Sequence, residues 1–185
     1  MLQRVFVDAD VLAARAPFEW LALLRDETGD WFQLHSTSEV VAESVREWVA
    51  RDPERREGAA ERRCELLATS LDEVLDSSAD AAPGHAPGPL GAAASSGSHV
   101  LLSSRAGDVA GADELPFEVY TADEFLCLLD DTAATHVRSA AARQYAARQD
   151  AGDGDGASNA GLAEALTAAG CPAFAERVSR HLRSR

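Results

Sequence analysis

Short apolar runs alternate with longer amphipathic stretches along most of the chain, the pattern of strands and helices in turn. The first run, Val5-Phe6-Val7, carries no polar residue and is rich in β-branching, as a strand buried on both faces of a parallel sheet requires. Phe18, Trp20, Leu21, Leu23 and Leu24 then form a dense apolar helix behind Pro17 and ahead of Gly29-Asp30, with proline suited to a first turn. Trp31-Phe32-Gln33-Leu34 reads as a second strand. Ser36-Thr37-Ser38-Glu39 has the spacing of a capping box, and the helix it opens places Val40, Val41, Val45 and Trp48 on one face. Asp52-Pro53 ends that helix and starts another, amphipathic from about Cys64 through Leu66, Leu67, Leu71, Val74 and Leu75.

From Ser77 to Ser98, prolines and glycines crowd among alanines and serines, which predicts a loop with a short helix near Leu90–Ser95. His99-Val100-Leu101-Leu102-Ser103 reads as a buried strand, Ser104 to Asp108 as a polar turn, and Phe117-Glu118-Val119-Tyr120 as a short edge strand. Thr121-Ala122-Asp123-Glu124 repeats the capping-box spacing ahead of Phe125, Leu126, Leu128 and Leu129. A second helical run covers about Thr132 to Arg148. The alternation predicts an α/β domain around a central parallel sheet over residues 1–130, with a connecting helix at 131–149. Residues 150–157, rich in Gly and Asp, read as a linker. Residues 158–185 read as a helical tail broken at Gly170-Cys171-Pro172 and too small to fold without docking on the domain.

Charge narrows the choice of partner. The net charge is −14, and all 17 basic residues are arginine, so long-range attraction of a polyanion is weak and any phosphate contact depends on a local arginine patch. The pairs Arg55-Arg56 and Arg62-Arg63 are the best candidates, although Glu54, Glu57 and Glu61 suggest an ordinary solvated helix face. Three widely spaced cysteines without a CxxC pair speak against structural zinc and a disulfide framework. With no apolar run long enough to cross a bilayer and no room for a signal peptide before the first strand, a cytoplasmic protein with no membrane partner is expected. His35, His85, His99, His136 and His181 lack ligand spacing. Trp20, Trp31 and Trp48 read as core aromatics, and Asp153-Gly154-Asp155-Gly156 as solvated linker rather than a calcium loop.

Asp8 and Asp10 follow the first strand at the carboxyl edge, where open α/β sheets bind ligands. Two carboxylates there can hold a hard cation such as Mg²⁺, or one can simply cap the next helix. Glu43 falls at the margin of its helix's apolar face, and Asp108 lies past the exit of the late strand.

Four stretches together resemble the PIN-domain nucleases, the fold of the VapC-type toxins of toxin–antitoxin pairs. Val5-Phe6-Val7-Asp8-Ala9-Asp10-Val11-Leu12 is similar to that family's apolar strand followed by Asp, a small residue, Asn, Val and Leu, with Asp10 standing for the Asn. Thr37-Ser38-Glu39-Val40-Val41-Ala42-Glu43 is similar to its Ser-x-x-hydrophobic-hydrophobic-x-Glu helix start. His99 to Asp108 resembles its late strand and Thr-x-Asn-x-x-Asp exit, with Ser103 for the Thr and Arg105 for the Asn. Val119 to Leu126 resembles the Pro-Asp-Glu-Phe-Leu signature of a branch that also carries a C-terminal helical tail. The resemblance implies a PIN-like three-layer fold and hydrolysis of RNA with Mg²⁺ or Mn²⁺. It makes Asp8, Glu43 and Asp108 the metal-holding catalytic acids, supported by Asp10 and Ser103. It also implies an antitoxin partner, alongside a homodimer. The sequence departs from the family at Gly84–Leu90, where His85 or Ala86 stands in place of a third acid and only Asp76 or Asp80 lies near. An incomplete site leaves a second reading open, a PIN-shaped module that binds protein or RNA without cleaving. A phosphatase of the haloacid-dehalogenase type is a third. It shares the Asp-x-Asp start but calls for a later basic residue, usually lysine, of which this chain has none, and for Gly-Thr where Val11-Leu12 stands.

Overall fold

A computed structural model describes residues 2–29, 31–52, 54, 58–76, 88–150 and 159–183. The fold is α/β around five parallel strands: β1 (Gln3–Val7), β2 (Phe32–Thr37), β3 (Glu73–Leu75), β4 (Val100–Leu102) and β5 (Glu118–Tyr120). Their order in the sheet is β3-β2-β1-β4-β5. Strand β1 pairs with β2 on one edge, Val5 opposite Leu34, and with β4 on the other, Val5 opposite Val100. Successive side chains of a strand point to opposite faces. Val5 and Val7 therefore share one face and Phe6 takes the other, yet all three are 0% exposed. The sheet is covered on both sides, as the three-layer expectation requires.

The helices are α1 (Ala9–Ala13), α2 (Arg15–Thr28), α3 (Ser38–Ala50), α4 (Ala59–Ser70), α5 (Pro89–Ser95), α6 (Ala122–Asp150), α7 (Asn159–Ala168) and α8 (Pro172–Arg183). Helix α2 buries Phe18, Trp20, Leu21 and Leu24 and stops at Gly29, whose φ of 50° lies in the left-handed region. The Thr121–Glu124 capping box forms as read: the Glu124 N–H donates to Thr121 Oγ1 (3.2 Å) and the Thr121 N–H to Glu124 Oε2 (2.8 Å). At α3 the cap is Thr37, which accepts from Val40 N at 3.3 Å. Ser36 is still part of β2 and donates instead to the Val7 carbonyl at 2.9 Å, so the box centred on it does not form. The two helical runs read after Thr121 join as α6, kinked at Ala133 (φ −136°, ψ 40°). The short helix expected near Leu90 is α5; residues 77–87 and the linker residues 151–157 lie outside the described residues.

Three readings change in the folded chain. The apolar positions Val74 and Leu75 do not continue α4 but form β3 beside β2. Asp72 makes the turn: its N–H donates to the Leu34 carbonyl (2.8 Å) and its Oδ2 accepts from Leu34 N (2.8 Å), while Arg25 donates to the Ser70 carbonyl at the end of α4 (2.7 Å). Arg63 is not a solvated arginine. It is buried, donates to the Leu12 carbonyl at 2.7 Å, and lies 5.8 Å from the centre of the Trp48 ring. Trp31 is 45% exposed; it precedes β2 and meets His136 edge-on, with ring centroids 6.0 Å apart.

The C-terminal pair docks on the domain as expected. Phe174 is fully buried edge-on against Trp20, centroids 5.1 Å apart. The start of α8 is capped from another helix: Asp123 of α6 accepts from Ala173 N (3.1 Å) and Phe174 N (2.8 Å). Further along, Asp130 accepts from His181 (2.6 Å) and Arg177 (3.3 Å). Asp123→Ala is expected to cost about 0.5–2 kcal/mol, as loss of a helix N-cap does, measured by urea unfolding.

His35 is buried on β2, with Nε2 2.9 Å from Ser98 Oγ and its ring edge-on to Phe6. Burial lowers its pKa from 6.5 to about 4. Because the folded value is depressed, the stability from neutral His35 is complete above pH 6.5 and is lost as pH falls toward about 4. The loss amounts to about 3 kcal/mol. Urea unfolding between these pH values should show the fall in the wild type and a flatter profile in His35→Gln.

A candidate metal site at the carboxyl edge of the sheet

In a sheet of order β3-β2-β1-β4-β5, the chain leaves β1 toward β2 and later returns to β4 on the other side. The carboxyl ends of β1 and β4 thus flank the switch point, where a crevice opens in such sheets. Asp8 leaves β1 at this point, its N–H bonded to the Leu102 carbonyl of β4 at 3.0 Å. The two carboxylate oxygens of Asp8 have different surroundings. Oδ1 accepts from Ala9 N at 2.7 Å and so caps α1. Oδ2 is buried and has no hydrogen-bond donor, and Arg105 Nη2 stands 3.8 Å from it.

Asp10, the second residue of α1, repeats the arrangement. Its Oδ2 accepts from the Ser104 backbone N–H at 3.0 Å and from the Ser104 hydroxyl, tying α1 to the exit of β4. Its Oδ1 is buried without a hydrogen-bond donor. Ser103 is buried at the end of β4 and accepts from Arg105 N at 3.3 Å. The Asp8 carboxyl is held above the ordinary carboxylate range, first by burial, with the neighbouring Asp10 charge adding to it. The Ser103 hydroxyl, the Ala9 N–H and Arg105 oppose the shift, though no donor meets Oδ2 in hydrogen-bonding geometry.

The other two acids stand apart in character. Glu43 is exposed on α3, and Asp108 is exposed at the end of the 3₁₀ turn Ala106–Asp108. Among the described residues, no three Asp, Glu, His or Cys side chains gather closely enough to hold a metal ion. His85, Ala86 and Asp80 lie outside the described residues, and Asp76 is exposed after β3. Two buried carboxylate oxygens without donors do suit a hard cation, because Mg²⁺ is commonly held by one or two carboxylates, with waters and substrate phosphate completing its shell.

An open cleft of about 1070 Å³ has Asp10, Ser104, Arg15, Arg51 and Arg148 among its lining residues. Ser104 and these arginines were not legible as site residues, being separated by as many as 133 positions and brought together only by the tertiary fold. Of the arginine pairs singled out in the sequence, Arg63 is committed to the core, Arg62 is exposed, and Arg55-Arg56 lie outside the described residues.

No family model, curated protein or solved structure matches the chain. Among the described residues no helix is long and apolar enough to cross a membrane.

Raised in the fold, the Asp8 pKa makes the ionised side chain a cost: its contribution is favourable below the ordinary value of 3.8 and is lost as pH rises through the folded value. Asp8→Asn keeps a good helix cap and removes that cost. Its melting midpoint near neutral pH should rise above that of the wild type. Below pH 3.8 the difference should vanish.

Proposed function

We propose that the protein is a metal-dependent ribonuclease of PIN-like type, a VapC-like toxin that an antitoxin protein would hold in check. The observation that carries this reading is the pair of buried, donor-free oxygens, Asp8 Oδ2 and Asp10 Oδ1, at the switch point of the sheet. Asp8 and Asp10 would hold Mg²⁺ or Mn²⁺, and the resemblance adds Glu43 and Asp108 as further ligands from the solvent side. When bound, such a cation activates water and offsets charge on a phosphodiester in the transition state. The chain's own residues do the rest. The Ala9 N–H fixes the Asp8 carboxylate through Oδ1, and Ser104 holds Asp10 through its Oδ2. Arg105, 69% exposed at its side chain, is free to swing from Asp8 to a substrate phosphate.

The same Arg105 favours the second reading, a binding module without catalysis. With its guanidinium 3.8 Å from Asp8 Oδ2 and no gathered trio of ligands, the acid already has a positive neighbour.

Cleavage of a labelled single-stranded RNA separates the two. Mn²⁺-dependent cutting is expected in the wild type, abolished by EDTA and reduced at least about a hundredfold by Asp8→Asn, since an amide gives up the charge that holds the cation. Arg105→Ala should tighten Mn²⁺ binding in a calorimetric titration. No cutting, together with equally weak Mn²⁺ binding by wild type, Asp8→Asn and Arg105→Ala, would sink the nuclease reading.

A further inference from the structure

The acid edge carries a cation of its own. Arg105 Nη2 stands 3.8 Å from Asp8 Oδ2, its side chain 69% exposed where that of Asp8 is 5% exposed. That separation is too long for a hydrogen bond, so charge alone holds the pair and Oδ2 stays without a donor. The backbone beneath is fixed by contrast. The Arg105 N–H donates to Ser103 Oγ at 3.3 Å, and the Arg105 carbonyl accepts from Asp108 N at 2.9 Å. The guanidinium can therefore leave Asp8 by side-chain rotation alone.

A divalent cation ligated by Asp8 Oδ2 would meet that guanidinium at close range, where like charges repel. The edge also offers few ligands. Asp8 Oδ2 and Asp10 Oδ1 are its donor-free oxygens, and among the described residues no third Asp, Glu, His or Cys gathers with them to hold a metal. Mg²⁺ held by one or two carboxylates draws on substrate phosphate to complete its shell. A phosphodiester answers both needs: one oxygen can ligate the metal while another accepts from Arg105, whose forked donors suit phosphate.

We propose that this edge takes a divalent cation and a phosphodiester together, with Arg105 as the exchanged group that offsets the Asp8 charge at rest and passes to the phosphate as the cation binds. This exchange rests on the metal site of the nuclease reading and adds that the protein without substrate resists metal. Either ligand alone leaves a charge of the edge without its counterpart. Each therefore raises the affinity for the other by the same factor, as linkage requires.

The test is calorimetric titration of Mn²⁺ into the full chain, in sodium chloride and in sodium dimethyl phosphate at equal ionic strength. Thermal melts confirm folding of each variant, and Asp8→Asn gives the background from other acidic positions. In the wild type, dimethyl phosphate should tighten Mn²⁺ binding above that background on the order of tenfold, within the usual span of coupling between two ligands. Arg105→Ala and Arg105→Gln, at an exposed side chain, should bind Mn²⁺ more tightly than the wild type in chloride. Both should keep only the smaller gain that direct contact of metal with phosphate supplies. Equal gains in the wild type and both variants would overturn the exchange, as would variants whose affinity in chloride is unchanged or weaker. Mn²⁺ binding that Asp8→Asn lowers in neither solution would overturn it too. The nuclease reading fails separately, by RNA cleavage. Arg105-dependent coupling without cleavage leaves a metal–phosphate binding site that does not cut. Mn²⁺-dependent cleavage with equal gains in all three proteins leaves a nuclease in which Arg105 is not exchanged.

Discussion

The burial of β1 on both faces and both edges is the constraint from which the rest follows. Its backbone is bonded to β2 on one side and β4 on the other, and its side chains fill the core above and below. Gln3 and Arg4 reach solvent at its amino end, while its carboxyl half is fully enclosed up to Asp8. Asp8 is placed there at 3% exposure, where solvation of its charge is incomplete and every remaining donor matters. Ala9 satisfies one oxygen and Arg105 stands near the other. The chemistry open to the edge is set by what replaces water around that second oxygen.

The docked tail extends the same logic outward. Asp123 continues the strand-to-helix turn after β5 and at the same time caps α8, so the start of α6 and the start of α8 are fixed by one side chain. Trp20 on α2 receives Phe174, which joins the tail to the helix that follows the acid pair. The side walls of the cleft thus belong to elements already tied together through the core.

Legibility in the sequence followed the range of the interactions involved. Strands β1, β2 and β4 and helices α2 and α3 were readable because their apolar periodicity and stop signals are local. The Thr121–Glu124 box was readable for the same reason. Strand β3 was not, since no breaker separates Ser70 from Glu73 and the turn is made by Asp72 bonding to Leu34, far away in sequence. Arg63 looked solvated because only the fold shows the Leu12 carbonyl and Trp48 beside it. The positions of Asp8 and Asp10 could be placed at the sheet edge, but the donor-free state of one oxygen on each could not, because it depends on which residues of β4 and its exit arrive opposite.

The two outer strands carry a consequence for assembly. Strands β3 and β5 are each three residues long and begin with an exposed glutamate, Glu73 and Glu118. Glu73 is paired with Arg4 and Glu118 accepts from the Tyr120 hydroxyl. Short, charged margins are poor templates for adding a strand. Among the described residues the sheet ends at these strands, which favours association through helical surfaces, where side chains rather than backbone amides decide the match.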